Sequence, residues 1–211
     1  MKFRWEGGEV TGAWDRPAGR AKAAVVLAHG AGYNLNTKLL VDVGKALAER
    51  GVAVLRFNFP YTEAGRRGPD PQKRLEACYR AVAEAVAEEM PRPFLGGKSM
   101  GGRIASHVAA DGFDSGGLVF LGYPLHPPGK PERIRDAHLR GIAAPMLFLQ
   151  GARDPFATPD LLHATLKSLK TATLVGIEGG DHSFKVKGRS TEEVTAELVE
   201  QVAAFIEEHA G

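Results

Sequence analysis

Short apolar runs recur along this chain between longer stretches with helical spacing, and that alternation limits the folds open to it. Ala23–Ala28 (AAVVLA) holds no polar residue, and Val52–Phe57, residues 94–96, Leu118–Leu121, residues 146–149 and Ala172–Ile177 read as further strands. A strand that is apolar throughout, rather than at alternate positions, needs cover on both faces, as the strands of a parallel sheet have. Between these runs, residues 37–50 place Leu39, Leu40, Val43 and Leu47 on one helical face and stop at Gly51. Residues 71–89, 99–110, 160–169 and 191–208 read as helices in the same way. Residues 1–14 differ: Glu6-Gly7-Gly8-Glu9 between two β-compatible stretches predicts an antiparallel hairpin at one sheet edge. The expected fold is a three-layer α/β/α sandwich with a mostly parallel sheet.

With 211 residues and no repeat, low-complexity tract or linker, the chain reads as one domain, 1–211. Its 27 basic and 25 acidic side chains leave a formal charge of +2, which gives no electrostatic reason to expect nucleic acid or a membrane as partner. No run approaches the length of a membrane span, and residues 1–6 lack the apolar stretch of a signal peptide. The single cysteine excludes an intrachain disulfide and fits a reducing compartment, so a cytoplasmic location is expected. Cys78 shares a helical face with Leu75, Tyr79, Val82 and Val86 and reads as a buried thiol. Nothing in the residues specifies an oligomer.

In open parallel sheets, ligands bind beyond the carboxyl ends of the strands. Residues 94–96 run into Gly97-Lys98-Ser99-Met100-Gly101, a G-x-S-x-G pentapeptide that opens a helix. In so tight a strand-to-helix turn the serine backbone is strained and its hydroxyl stands clear of the sheet, while Gly97 and Gly101 avoid collisions that side chains would make. A glycine-rich turn with a solvated serine is the plainer alternative. The first buried strand ends at His29-Gly30-Ala31-Gly32, where a free Ala31 amide, with the Met100 amide at a helix N-terminus, suits an oxyanion. His29 itself reads as a structural, hydrogen-bonded histidine. Residues 146–149 lead to Asp154, which either orients a histidine or forms a turn ahead of Pro155 and Pro159. The last strand leads to Gly179-Gly180-Asp181-His182, whose glycines let His182 turn back over the sheet; a surface histidine is the alternative. Asp181 competes with Asp154 as acid, but adjacency to His182 disfavours the side-chain geometry. No His, Cys or carboxylate cluster has metal-ligand spacing, so neither metal nor organic cofactor is expected.

The segments HGAG, GKSMGG, GARDPF and GGDHSF resemble, in order and spacing, the elements of the α/β-hydrolase superfamily, from about residue 20 to the end. More narrowly, the chain is similar to a small lidless family related to dienelactone hydrolases. That family takes in bacterial hydrolases, testis-expressed vertebrate relatives and the hydrolase-like domain of a histone-acetyltransferase complex subunit; residues 122–131 (GYPLHPPGKP) share the likeness. The resemblance implies an α/β-hydrolase fold without a cap domain, with Ser99 as nucleophile, His182 as base, Asp154 as acid, and Ala31 and Met100 as oxyanion hole. It implies an esterase acting on a small-molecule ester or thioester. Dienelactone hydrolases carry cysteine where this chain has Ser99, so their lactone substrate does not carry over. Relatives that serve in protein assemblies leave a second expectation, a non-catalytic interaction module.

The connection 123–144 leaves room for one helix and no cap, which suits small or extended esters. Tyr123, Pro124 and His126, with Tyr61 of the 58–61 loop, are candidate substrate-binding walls or else loop packing. Lys98 reads as a satisfied surface lysine, with binding of an anionic substrate as the alternative. Lys130, Arg133, Arg135 and Arg140 read as a solvated helix face.

Overall fold

The computed structural model describes residues 1–210. Strands β1 (Lys2–Trp5) and β2 (Gly8–Asp15) form the hairpin, followed by β3 (Ala23–Ala28), α1 (Lys38–Glu49) and β4 (Val52–Phe57). Then come α2 (Pro60–Glu63), α3 (Gln72–Glu89), β5 (Phe94–Lys98), α4 (Met100–Ala110) and β6 (Leu118–Leu121). The chain closes with β7 (Met146–Gly151), α5 (Pro159–Leu166), β8 (Ala172–Ile177) and α6 (Thr191–His209). One eight-stranded sheet runs in the order β1-β2-β4-β3-β5-β6-β7-β8. β1 and β2 pair antiparallel, β2 is antiparallel to β4, and every pairing from β4 to β8 is parallel.

The strands are apolar because both faces are covered: β4, β5, β6 and β7 are buried at every position. Alternate side chains feed the two faces of the sheet, with a third cluster around Leu118, Phe120, Phe148 and Leu162. Val26, Leu55 and Phe57 pack with Tyr79 and Val82 of α3 and Ile104 of α4. Val25, Leu27 and Val54 pack on the other face with Leu40, Val43 and Leu47 of α1 and Leu198 and Val202 of α6. Each fully buried Leu, Val or Phe contributes roughly 1.5–3 kcal/mol, so the two faces carry most of the stability. Arg56, the one charge in β4, is tolerated because its Nε meets Asp15 Oδ2 at 2.7 Å and its Nη1 donates to Leu35 O at 2.6 Å.

Three expectations change. β5 extends to Lys98 and β7 to Gly151, because Gly97, Lys98, Gln150 and Gly151 all keep strand partners. The predicted helix 160–169 is the shorter α5, which begins with a proline at its first turn. The connection 123–144 contains no α-helix; it is an irregular strap with one 3₁₀ turn at Ala137–Gly141. The basic stretch 130–140 is therefore not a helix face.

Candidate active site

Ser99 joins β5 to α4 with φ 52° and ψ −115°, a left-handed conformation that costs a non-glycine residue about 1–3 kcal/mol. Its surroundings hold it there. A Cβ on Gly97 or Gly101 would strike the Ala28 carbonyl, so only glycine at both positions lets α4 approach β3. The Ser99 N–H donates to Leu121 O at 3.1 Å, and Ser99 O accepts the Arg103 N–H at 3.1 Å. Beneath the turn, the buried Tyr79 hydroxyl accepts the Gly96 N–H at 2.8 Å and lies 2.8 Å from Val26 O, tying β5 to β3. Residue spacing identified Tyr79 only as part of an apolar helix face.

His182, in the loop after β8, faces Ser99. Its Nε2 lies 2.9 Å from Ser99 Oγ and its Nδ1 lies 2.6 Å from Asp154 Oδ2. Asp154 answers both descriptions that its sequence position allowed. Its Oδ1 accepts the Phe156 N–H at 2.8 Å, a turn contact, while its Oδ2 meets the imidazole. The carboxylate is buried and also accepts from Gln150 Nε2 at 2.5 Å. Gln150 Oε1 in turn accepts the Tyr123 N–H at 2.8 Å. Gln150 was missed from sequence; the signal was a polar residue closing an otherwise apolar strand four positions before the aspartate. Asp181 does not touch the imidazole. Its Oδ1 accepts the Ser183 and Lys185 N–H groups and shapes the loop that presents His182.

Ala31 and Met100 line the same cleft as Ser99 and His182. The Ala31 amide makes no hydrogen bond among the described residues, and the Met100 amide, first in α4, has no partner in the helix ladder. His29 lies beneath: its Nδ1 donates to Gly30 O at 2.8 Å, its Nε2 accepts the Phe59 N–H at 3.1 Å, and burial pushes its pKa down to about 4. A neutral histidine is thereby built into the loop.

Lys98 is not a surface lysine. It is 8% exposed, and its Nζ has no hydrogen-bond partner among the described residues. The ammonium occupies space that a side chain at Gly122 would take, where a Cβ would come within 2.9 Å of Nζ. Burial pushes its pKa down to about 8, against the opposing pull of Asp154 and Asp181.

Of the expected pocket walls, Pro124 and His126 line the cleft. Tyr123 does not. It is wholly buried, its hydroxyl donates to Arg135 O at 3.1 Å, and burial pushes its pKa up to about 12. Tyr61 is also buried, its hydroxyl accepting the Gly32 N–H at 3.3 Å, so it braces the Ala31 loop from behind. Both rings lie under the loops because a large apolar ring gains more from burial than from forming a wall. The cleft measures about 760 Å³ and is walled further by Tyr33, Leu40, Leu75 and Phe156. The Phe156 ring packs 4.3 Å from the His182 ring. Among the described residues no group of three or more His, Cys or carboxylate side chains has a metal-binding arrangement.

Chemically, the arrangement couples a hydroxyl to a bare imidazole nitrogen, a carboxylate behind the imidazole and two free amides nearby. Residues 21–210 match the family described as the alpha/beta hydrolase domain. Solved structures share the fold. An alpha-beta serine hydrolase homologue from Coxiella burnetii has a TM-score of 0.79 at 22% identity, covering 98% of this chain and 96% of its own. A lidless serine hydrolase from Xanthomonas campestris has a TM-score of 0.80 at 22% identity, covering 99% and 93%. Dienelactone hydrolase from Anabaena variabilis has a TM-score of 0.78 at 18% identity, covering 99% and 96%.

Proposed function

The chain belongs to the alpha/beta hydrolase domain family, and from that premise we propose that it is a serine hydrolase cleaving small esters or thioesters through an acyl-enzyme. The observation that carries this reading is the hydrogen-bonded chain Ser99–His182–Asp154, at 2.9 and 2.6 Å, starting from a serine held in a strained conformation. With its Nδ1 proton directed at the carboxylate, His182 offers a bare Nε2 to the serine hydroxyl. As Ser99 Oγ bonds to the substrate carbonyl carbon, its proton passes to Nε2 and the carbonyl π electrons move to oxygen. In this reading the Met100 and Ala31 amides, which have no protein partner among the described residues, receive that oxyanion, an interaction worth about 2.7–4 kcal/mol per donor in such sites. Collapse of the tetrahedral adduct expels the alcohol or thiol, which takes the proton from Nε2. Water then repeats the sequence on the acyl-Ser99 and releases the acid. Asp154 keeps the useful tautomer and stabilises the imidazolium, while Gln150 and the Phe156 N–H keep Asp154 in place.

The narrower kinship to lidless relatives of dienelactone hydrolases belongs to the same reading, as does work on a small molecule in the cytoplasm. The near-balanced charge supports it. A panel of short p-nitrophenyl esters and thioesters tests the reading. Ser99→Ala is expected to lower kcat/KM by about a thousandfold or more. Equal, near-background rates for both proteins would instead favour an interaction module that keeps a hydrolase shell.

A further inference from the structure

The cleft that holds Ser99 is lined by five basic residues, Lys38, Lys98, Arg103, Arg135 and Lys185, and by one acidic residue, Asp70, with the Lys98 ammonium itself buried beneath the surface. The acid is already engaged, since Arg66 Nη2 lies 2.5 Å from Asp70 Oδ1 and Arg74 Nε 3.7 Å. Lys38 is engaged too, with Asp42 and Glu192. Arg103 and Arg135 are not: among the described residues neither has a carboxylate within salt-bridge distance, in contrast to Arg56 and Arg80.

Arg103 stands one helical turn after Ser99 on α4, half-buried, and lines the same cleft, with its Nη1 3.5 Å from His107 Nε2. Its Nη1 donates to Gln72 Oε1 at 2.8 Å, a neutral partner that fixes the fork without cancelling its charge. Arg135 is fixed through its backbone. Its N–H donates to Leu125 O at 2.8 Å and its carbonyl accepts from Tyr123 Oη at 3.1 Å. The strap that carries it is bolted to α4 where Ser106 Oγ meets His138 Nε2 at 2.8 Å. Burial and the nearby Arg135 push the Arg103 pKa down, against a weaker opposing pull from Glu76, which lies beyond salt-bridge distance. The Lys98 ammonium is enclosed and adds field rather than contact. The same cleft is lined by Tyr33, 56% exposed, and Leu39.

We propose that the substrate is an anionic ester or thioester whose carboxylate or other oxyanion is received between Arg103 and Arg135, with the apolar part of the molecule against Tyr33 and Leu39. A guanidinium fork matches the geometry of a planar carboxylate or of a phosphate. This rests on the serine-hydrolase reading, and the two separate experimentally.

Turnover is compared within two sets of matched esters, each rate normalised to alkaline hydrolysis. One set is monomethyl against dimethyl adipate; the other is 4-acetoxybenzoate and 4-acetoxyphenyl phosphate against methyl 4-acetoxybenzoate. The first places the charge on the acyl side and the second on the alcohol side, and the benzoate and phosphate arms distinguish the two oxyanions. The wild type is expected to prefer the anionic member of at least one set by about tenfold or more, and Arg103→Gln to remove about tenfold of that preference. Arg135→Gln, at an exposed position, is expected to act in the same direction. Binding is read separately by calorimetry of monomethyl and dimethyl adipate, 4-acetoxybenzoate, 4-acetoxyphenyl phosphate and methyl 4-acetoxybenzoate with Ser99→Ala, alone and combined with Arg103→Gln. Anion binding that depends on Arg103, with no Ser99-dependent turnover, keeps this site and overturns the hydrolase reading. Ser99-dependent turnover with no anionic preference in either set, and no Arg103-dependent binding, overturns the site and keeps the hydrolase.

Discussion

Two clefts of similar size open at opposite ends of the parallel strands, about 640 Å³ at the amino ends and about 760 Å³ at the carboxyl ends. They differ in how deeply their unpaired charges are buried. At the amino end, Arg16 meets Glu89 through two nitrogens at 2.6 and 2.8 Å, and Arg92 meets Asp114 at 3.1 Å. At the carboxyl end, Lys98, Arg103 and Arg135 are left without carboxylate partners within salt-bridge distance among the described residues, and Ser99 is strained. The basic side chains at the amino end that lack a carboxylate partner among the described residues, Arg20 and Lys22, are exposed to water. The carboxyl end holds groups in states that stability alone would not select, which is what the proposed active site requires.

The largest test of this contrast is turnover. Ser99→Ala should lower it by about a thousandfold or more while the protein stays folded, and Glu89→Ala at the other end should leave it within about twofold. Loss of activity from both would erase the distinction between the ends.

Next comes packing. Gly101→Ala places a methyl against the carbonyl oxygens of Ala28 and His29, so urea unfolding should report a loss of about 3 kcal/mol. Gly19→Ala, in open space at the amino-end cleft, should be within about 0.5 kcal/mol of wild type.

The unpartnered ammonium gives a prediction of opposite sign. Lys98 titrates at about 8 in the folded chain against 10.5 when exposed, so the folded state binds fewer protons between those values. Its burial therefore opposes folding below pH 8, and the opposition fades as the pH rises towards 10.5. Lys98→Met should stabilise the protein at pH 7 by about 3 kcal/mol, and the gain should shrink in alkali. Arg16→Met at the amino end should change stability little at any of these pH values. A destabilised Lys98→Met would mean that the ammonium is needed to hold Asp154.

The smallest effect lies in acid. His29 is held neutral, with a pKa of about 4 in place of 6.5, so the folded state refuses a proton that the unfolded chain accepts. Stability should fall as the pH drops from 6.5 towards 4, by about 2 kcal/mol at pH 5 from this group alone. His29→Gln should flatten that part of the stability profile in denaturant titrations at stepped pH.

What the residues disclosed in advance, and what they hid, follows from the range of the interactions. β3 and β6 were legible to the residue because an apolar run bounded by glycine or polar residues has one use in a covered sheet. The hairpin was legible from Gly7-Gly8. Ser99, Asp154 and His182 were nominated by strand ends and chain order, and the structure brings them within hydrogen-bond distance although Ser99 and His182 lie 83 positions apart. Gln150 was hidden because its role depends on meeting Asp154 and the Tyr123 N–H at once. The burial of Lys98 depends on the absent side chain of Gly122, on another strand end. Tyr61 and Tyr123 were nominated as walls because loop aromatics near strand ends often are; which side of a loop such a ring takes is decided by packing that no local pattern encodes.

The central claim is that one strained serine at the carboxyl end of the sheet is the nucleophile. Intact-mass and peptide mapping after incubation with a fluorophosphonate measures this directly. A single adduct on the peptide that carries Ser99, absent from Ser99→Ala and formed far more slowly by His182→Ala, is the expected result. An adduct on any other residue, or undiminished labelling of Ser99→Ala, would contradict it.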